Sequence, residues 1–403
     1  MAQTAAAAQT TLSLTQALQA AQNNLDVSLA RRALDAARGD MTAADRAPTP
    51  TLSAKAAAID LQNGIGSGNV LTQKRIDKGI GLDWTYERGN KRVLRTQAAR
   101  SLLTAAQADV DDVQIQQQIA VVAAYFDLLA AQERIHEVDA IAKSAAQLAA
   151  TAQRRVRAGD LPALDAARTE IEAQRADTDL ASAHLDRQRA ALSLALLTGN
   201  SNAAALQVAA DWPALQSLPA APGEMTFPSV EARADVRAAV LRVEAARATL
   251  DSAAAQKTRD LTLGTSFDHY PGTSTRQLEF RVQMPLNGFL GSYNFQGEIT
   301  RAQAQLSQAE DTLEKTRRAA IADLQRLQQD RLGSAARALS YETTILPRAR
   351  NVAQLAELAY SKGAMSLTEL IDARRTLRTI LIEALIARTD HAKAAQAWMI
   401  RQP

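Results

Sequence analysis

The chain has 403 residues and no cysteine, which excludes disulfide bonds, thiolate metal sites and cysteine nucleophiles. Its 46 Lys and Arg residues nearly balance its 43 Asp and Glu residues, and this balance argues against a nucleic-acid-binding protein. No apolar run reaches the roughly 18 residues of a transmembrane helix, and the first residues lack the basic region and apolar core of a signal peptide. We therefore expect neither a transmembrane helix nor a signal peptide in this chain. Its abundant Ala, Leu, Gln and Arg favour helices.

The first predicted helix covers about residues 12–45. Ser13 offers a capping hydroxyl at its start, and Pro48 and Pro50 end it. Apolar residues at helical spacing predict one buried stripe along this helix. The residues of the stripe are Leu14, Leu18, Ala21, Leu25 and Leu29.

Two strands are predicted next, from Leu52 to Gln62 and from about Ile76 to Glu87. In the second strand apolar and polar residues alternate, so one face is apolar and the other is polar. Such a sheet could cover helices in a soluble protein, or it could turn its apolar face to lipid in a membrane barrel. Strands of about ten residues are long enough for a tilted membrane crossing, which favours the barrel.

A very long helix follows, predicted over about 89–157 without an internal proline. At about 1.5 Å per residue it would measure on the order of 100 Å, much more than a globular domain needs. Gly159 and Pro162 predict a turn, and a further helix continues to about Leu197, where Gly199 closes it.

A linker with little regular structure is predicted over residues 200–228, which contain four prolines. By composition, this linker could lie against the helices as a belt, or it could form a loose surface loop. The sequence leaves both alternatives open.

The second half of the chain repeats the order of the first. Helices are predicted near 229–259, 296–362 and 366–400, and Pro347 should kink the longest of them. Two alternating strands lie between the first two helices. Their apolar faces carry Leu261, Leu263 and Phe267 in strand three, and Leu278, Phe280, Val282, Met284 and Leu286 in strand four.

Matching residues in the two halves indicate an internal duplication. The dipeptide Asp26-Val27 recurs as Asp235-Val236. At a nearly equal offset, the turn residues Gly159, Leu161, Pro162 and Asp165 correspond to Gly363, Met365, Ser366 and Glu369. The predicted segments are a first helix at 1–47, strands one and two at 48–88, a helical hairpin at 89–199, the linker at 200–228, a helix at 229–259, strands three and four at 260–295, and a second helical hairpin at 296–403.

More than half of the aromatic residues lie in or beside the four strands, as in the aromatic belt of a membrane barrel. Four strands cannot close a barrel, and lipid does not tolerate open sheet edges, so several copies would have to share one barrel. Three copies would supply twelve strands. The side chains that we predict to face lipid are Ile80, Leu82, Trp84, Phe280 and Val282.

No catalytic constellation is present in the sequence. The histidines are scattered and form no i, i+4 pair, so we predict no metal site, no cofactor and no enzymatic activity. These histidines are His136, His184, His269 and His391.

Three groups of residues, in this order, resemble the TolC-like outer-membrane factors, the outer membrane efflux protein family. The first runs from Leu12 to Leu18, with Asn24 and Asp26-Val27, and the second runs from Met284 to Gly288. The third comprises Leu346, Pro347, Arg348, Ala349, Tyr360, Gly363, Leu370, Asp372, Ala373 and Arg374. The resemblance spans nearly the whole chain, and it is greatest to the heavy-metal, cobalt–zinc–cadmium resistance (CzcC-like) branch.

This resemblance implies a mostly α-helical fold with a small β part. In such a homotrimer, four strands from each copy form one twelve-stranded barrel in the outer membrane, continuous with an α-barrel tunnel in the periplasm. The implied partners are a periplasmic adaptor protein and an inner-membrane RND pump, and the implied function is passive efflux, with divalent heavy-metal cations as cargo. The alternative that the residues leave open is a soluble periplasmic coiled-coil scaffold or adaptor subunit.

The resemblance also implies functional residues at the two turns between the long helices. Acidic residues at corresponding offsets ring the narrow periplasmic end of the tunnel in this family, which nominates Asp165, Glu369 and Asp372 as a constriction. They could instead be ordinary first-turn acids that the helix dipole favours. Met365 stands where some relatives have a basic residue. The turn residues nominated for adaptor docking are Gly159, Leu161, Pro162, Gly363, Met365 and Ser366.

Overall fold

The computed structural model describes residues 11–59, 62, 64–69, 74–215, 228–271, 274–286 and 293–401. The chain is mostly helical with a small sheet part, and it forms two compact units. Unit one comprises Met1–Arg31, Val110–Arg233 and Arg318–Pro403, and unit two comprises Arg32–Asp109 and Ala234–Arg317. Each unit therefore contains segments from both halves of the sequence. Within the described residues, no helix is both long and apolar enough to cross a bilayer.

The elements follow the predicted order along the chain. The helices are α1 (Leu14–Ala21), α2 (Leu25–Ala44), α3 (Lys91–Arg157), α4 (Ala163–Thr198), α5 (Pro228–Glu231), α6 (Ala234–Ala255), α7 (Gln296–Ser340), α8 (Leu346–Ser361) and α9 (Leu367–Arg401). The strands are β1 (Thr11–Leu12), β2 (Thr51–Ala57), β3 (Asp77–Tyr86), β4 (Gln207–Val208), β5 (Leu261–Tyr270) and β6 (Ser274–Gln283). A 3₁₀ turn covers Ala203–Ala205, and a π turn covers Tyr341–Ile345 between α7 and α8.

The predicted duplication is present in the fold. Both halves have the order helix, two strands, long helix, glycine turn and helix. At the two turns, Gly159 and Gly363 have φ values of 81° and 74°. This left-handed backbone is free of strain only for glycine, which explains why both long helices end beside a glycine.

The first helix is broken, contrary to the prediction of one continuous helix. It ends after α1 and restarts at Leu25, beside Asn24. The Asn24 side chain accepts a hydrogen bond from the Asp26 N–H at 3.0 Å and donates one to the Leu197 carbonyl at 2.9 Å. The restart changes the buried face, so Leu25 and Leu29 are 75% and 62% exposed instead of lying in the predicted buried stripe.

The four-stranded antiparallel sheet of unit two has the strand order β2-β3-β5-β6. β2 ends at Ala57, before the predicted end at Gln62, because Ala58 takes a left-handed backbone with φ of 56° that cannot continue a strand. β6 ends at Gln283, and Pro285 has no N–H to extend the ladder.

Met284 and Leu286, predicted for the apolar face of strand four, therefore follow that strand. Asn287 and Gly288 of the second resembling motif lie outside the described residues, as do residues 1–10, where no signal peptide was expected.

The main core of unit one surrounds the middle of α3, where Tyr125, Phe126 and Leu128 are fully buried. The described part of the linker packs against this core and does not form a loose loop. The Trp212 ring stacks on Phe126 with 5.7 Å between centroids, and its Nε1 donates a hydrogen bond to Glu133 at 2.5 Å. β4, which was not predicted, pairs in parallel with β1. Residues 216–227 of the linker lie outside the described residues.

The irregularity predicted at Pro347 takes the form of the π turn. The Leu346 N–H bonds the carbonyl of Tyr341, one residue further back than in an α-helix. Because Pro347 has no N–H, the regular α-helical pattern cannot continue through it.

Candidate functional site

The apolar face of the sheet in unit two is exposed. Phe280 is 78% exposed, and most of the other large apolar side chains of this face are also exposed. The side chains predicted to face lipid all belong to this set: Ile80, Leu82, Trp84, Phe280 and Val282. Large exposed apolar patches are rare on soluble monomers and mark a surface that something other than water covers. Contact of these side chains with lipid remains a prediction.

The strand register joins these side chains into a continuous band. Ile80 lies opposite Phe267, which in turn lies opposite Leu278. A second row across β3, β5 and β6 consists of Trp84, Leu263 and Val282. The band therefore crosses the sheet, as it would on the outer wall of a barrel.

The opposite face of the sheet is polar and crowded. Asp268 is only 3% exposed, and its carboxylate occupies the space over Gly79, where a Cβ would collide with it. Over Gly264, Asp83 forms an ion pair with Arg281 at 2.7 Å, and a Cβ on Gly264 would collide with the Asp83 carboxylate. Glycine therefore leaves the room that charged side chains of the neighbouring strands occupy.

Charge is divided unequally between the two faces of the sheet. By the strand register, every carboxylate of the described strands lies on the polar face, together with two cations. The carboxylates are those of Asp77, Asp83, Asp268 and Glu279, and the cations are Lys55 and Arg281. The polar face is therefore net acidic.

The two helix turns of unit one begin their following helices differently. Pro162 precedes α4 without a side-chain cap, whereas Ser366 and Glu369 form a capping box at the start of α9. The Ser366 N–H donates to the Glu369 carboxylate at 2.8 Å, and this hydrogen bond lowers the pKa of Glu369. Met365 and Leu161 pack with the buried Leu367, Leu370 and Ile371, so Met365 contributes apolar contacts at this turn.

The three carboxylates nominated for the constriction have different surroundings. Asp165 lies 3.6 Å from Arg168, with its side chain 27% exposed. Asp372 lies 3.7 Å from Arg375, with its side chain 66% exposed. Glu369 is exposed and serves the capping box. Each carboxylate thus has a local partner within one copy, and a ring of them would require symmetry-related copies.

The sequence analysis assigned no functional role to the arginines beside the turns. Arg374, Arg375 and Arg378 pair with carboxylates on α8 and α4, and the hydrogen bond from Arg375 lowers the pKa of Glu172. They line a cavity of about 290 Å³ between α3, α4, α8 and α9. Their spacing in the sequence, two adjacent arginines and a third one turn later, was the available signal.

The described residues contain no group of three or more His, Asp or Glu side chains that could hold a metal ion. Among the histidines, His391 is notable for its burial in α9, at 6% exposure. Burial lowers the pKa of His391, and the backbone of Ala214 and the charge of Glu342 partly oppose this shift.

Comparison with known proteins agrees with this geometry. Residues 17–200 match the family described as Outer membrane efflux protein. Over 358 residues the chain is 27% identical to the cobalt-zinc-cadmium resistance protein CzcC of Cupriavidus metallidurans, an alignment that covers 89% of this chain and 82% of that protein.

Solved structures share the fold over nearly the whole chain. A membrane protein from Pseudomonas aeruginosa superimposes with a TM-score of 0.79 at 18% identity, covering 96% of this chain and 93% of that one. CusC superimposes with a TM-score of 0.79 at 17% identity, covering 96% of this chain and 92% of CusC. The outer membrane protein VceC from Vibrio cholerae superimposes with a TM-score of 0.78 at 18% identity, covering 96% of this chain and 95% of VceC. These comparisons confirm the predicted resemblance and fold class.

Proposed function

We propose that this chain, which resembles the outer membrane efflux proteins in sequence and TolC-like channels in fold, is one protomer of an exit duct in the outer membrane. The observation that carries the proposal is the exposed apolar face of the sheet, opposite a polar face that holds every carboxylate of the described strands. A barrel wall needs this arrangement, because its outer surface meets lipid and its inner surface meets water. A soluble scaffold or adaptor would have no reason to expose the apolar face.

The two edges of the sheet support assembly into a homotrimer. In the described structure β2 pairs with β3 alone, and β6 pairs with β5 alone. Unpaired backbone N–H and C=O groups are not tolerated in lipid, so β6 of one copy would pair with β2 of the next. Three copies would close a barrel of twelve strands, with the polar faces lining its lumen.

The mass and the pore activity of the full chain test this proposal. In detergent we expect the mass of three chains by light scattering, and after transfer to planar bilayers we expect conducting pores. A stable monomer in detergent-free buffer, without pore activity, would contradict the membrane assignment.

The cargo that we propose is divalent heavy-metal cations, conducted passively. A relative with 27% identity is a cobalt-zinc-cadmium resistance protein, and the net acidic polar face of the sheet would favour cations in a barrel lumen. The chain would supply the path, whereas a periplasmic adaptor and an inner-membrane RND pump would supply energy and selectivity. No step in this role requires enzymatic chemistry.

Growth on toxic metals tests the cargo. In cells that contain a heavy-metal pump and its adaptor but lack their own duct, the chain should restore growth on cobalt, zinc or cadmium. The matched control is the same strain with the Leu82→Arg variant, which should not assemble in the membrane. Restored resistance to organic compounds alone would show that metals are not the cargo.

The most detailed part of the proposal concerns the periplasmic constriction. Asp165, Glu369 and Asp372 would form an acidic ring in the trimer, and the turns at Gly159 and Gly363 would dock the adaptor. The left-handed glycine turns and the exposed positions of Glu369 and Asp372 support this arrangement. The neighbouring Arg168 and Arg375 would lower the net charge of such a ring and let the carboxylates approach one another.

A further inference from the structure

The outward apolar face of the sheet carries charge at one end, and that charge is basic. Among the described strand residues, the charged side chains of this face are Lys78 and Arg276, both beside the loops that connect β2 with β3 and β5 with β6. Every strand carboxylate lies on the opposite face, so no strand acid accompanies these two cations.

The strand register places the two cations close to one row. Lys78 on β3 lies directly opposite His269 on β5. On β6, Arg276 lies beside the irregular pairing between Asp268 and Tyr270, which flanks His269. Lys78 and Arg276 therefore lie on either side of β5 near His269, immediately beyond the band that contains Ile80.

The cations of the two faces differ in their partners. On the polar face, Lys55 donates to the Tyr270 hydroxyl at 3.3 Å, and Arg281 pairs with Asp83 at 2.7 Å. On the outward face, the Lys78 ammonium is covered and has no hydrogen-bond partner among the described residues. Arg276 has no ion pair with another described residue. A covered cation without a partner is costly, and an anion would relieve that cost at Lys78. Arg276 is exposed.

The two ends of the outward face also differ in chemistry. At the end that continues into α3, the face carries Trp84 and Tyr86, whose ring centroids are 6.0 Å apart. The apolar band thus has aromatic rings at one end and cations at the other, the kinds of side chain that favour a membrane interface.

We infer that Lys78 and Arg276 bind the phosphate groups of an anionic lipid in the membrane leaflet at the loop end of the barrel. This inference rests on the proposed function, because it requires the apolar band to stand in the hydrocarbon of the outer membrane. The cations then lie at headgroup depth, where lipid phosphates supply the anions that the described protein residues do not. Charge complementarity therefore identifies a phosphate-bearing lipid as the occupant.

Lipid A, a diphosphorylated lipid, is a suitable probe. Its affinity for the purified trimer can be measured by native mass spectrometry in micelles of a non-ionic detergent that contain increasing amounts of lipid A. We expect Lys78→Gln to weaken binding about five-fold and the double variant Lys78→Gln with Arg276→Gln about 25-fold, because each cation near a lipid surface contributes similarly. The matched control is Lys55→Gln, which removes the same charge from the polar face and should leave the affinity unchanged.

Three outcomes would overturn the inference. One is an unchanged lipid A affinity in the double variant, and another is an equal loss in Lys55→Gln. The third is displacement of lipid A by inorganic phosphate at comparable concentration, which would indicate a site for a free ion. Trimer mass and pore conductance, measured on the same samples, should be those of the unmodified chain. If the unmodified chain forms neither trimer nor pore, the proposed function itself fails.

Discussion

The helical core of unit one and the sheet of unit two distribute the same kinds of side chains in opposite ways. In the helical core, Tyr125 and Phe126 have no exposed surface, and polar side chains lie at its margins. In the sheet, Phe280 is 78% exposed, whereas Asp268 is 3% exposed. A single solvent cannot favour both arrangements, because burial of apolar surface stabilises a protein only against water.

In our proposal, this contrast arises because water surrounds the helical unit and lipid surrounds the sheet. Water around the helical unit drives its apolar side chains inward, and the packed core is then sensitive to lost volume. Lipid around the sheet accepts its apolar side chains, and the tight packing moves to the polar face, where glycines accommodate charged neighbours. Substitutions of one kind, made in both regions, should therefore have different consequences.

The largest effect should come from a cavity in the helical core. Phe126→Ala should lower the free energy of unfolding by about 3–5 kcal/mol, because the close-packed surroundings cannot fill the space. Phe280→Ala should cost only about 1–2 kcal/mol, because lipid closes over the shortened side chain and no cavity remains. Denaturant unfolding of both variants in detergent measures this difference. Equal losses would mean that Phe280 is packed in a protein interior.

Charge on the outward face should have the next largest effect. Leu82→Arg or Phe280→Arg should cost about 2–4 kcal/mol near the middle of a bilayer. In a soluble sheet these exposed positions would tolerate Arg within about 0.5 kcal/mol. The control is Gln283→Arg on the polar face, which should cost little. Replacing Asp83 on the same face would also break its ion pair with Arg281.

Crowding on the polar face predicts a smaller effect. Gly79→Ala and Gly264→Ala should each destabilise by about 1–3 kcal/mol, because the new methyl group displaces the carboxylate of Asp268 or Asp83. Gly39→Ala is the control, since nothing lies within 4 Å of a Cβ at that position in α2. It should stabilise by about 0.5–1 kcal/mol through helix propensity. Thermal unfolding distinguishes destabilisation at Gly79 and Gly264 from stabilisation at Gly39. Stabilisation by Gly79→Ala would show that the polar face is loosely packed.

Buried His391 predicts a pH dependence that originates in unit one. Its pKa in the folded chain is lowered by burial from an unfolded value of about 6.5, so the unfolded chain binds the proton more readily. Stability from this group is therefore complete above about pH 6.5 and declines as the pH falls below that value. The slope of unfolding free energy between pH 7 and pH 5 should be reduced in His391→Gln. The matched control is His184→Gln, which removes an exposed histidine.

The smallest effect on stability, with a clear effect on conduction, should come from the proposed constriction. Asp165→Asn, Glu369→Gln and Asp372→Asn together should lower cation preference and divalent block in bilayer recordings. The capping box should survive, because Gln can replace Glu in it. The control removes three exposed carboxylates elsewhere, with Glu244→Gln, Glu310→Gln and Asp311→Asn. If the triple variant keeps wild-type selectivity, the three acids serve only as residues that stabilise helix ends.

Much of this fold could be predicted because its signals are local. Ser13 caps α1 as expected, with the Gln16 N–H donating to its hydroxyl at 3.3 Å, and the two glycine turns occur where left-handed backbone was predicted. Strand alternation correctly assigned residues such as Leu82 and Phe280 to one face. What failed depended on distant partners: the break at Asn24 involves a hydrogen bond to Leu197, far away in the sequence.

The candidate site divides in the same way. The family resemblance nominated Asp165, Glu369 and Asp372, and their role as a constriction stays a prediction. The arginine partners were not predicted, since the pairing of Arg375 with Glu172 depends on how α9 packs against α4. Long polar side chains have many rotamers, and only the positions of neighbouring helices select among them.

The sequence by itself determined the duplication, the alternating faces of the strands, the glycine turns and the absence of cysteine chemistry. The strand faces and the turns follow from each residue and its nearest neighbours, the duplication from comparing the two halves, and the absence of cysteine from composition. Only the tertiary structure decided that the described linker packs on Phe126, that Asp83 and Arg281 meet over Gly264, and that Lys78 has no hydrogen-bond partner among the described residues. The physical reason is that burial and side-chain pairing depend on which segments approach one another in the fold. A local sequence pattern does not say which distant segments will come into contact.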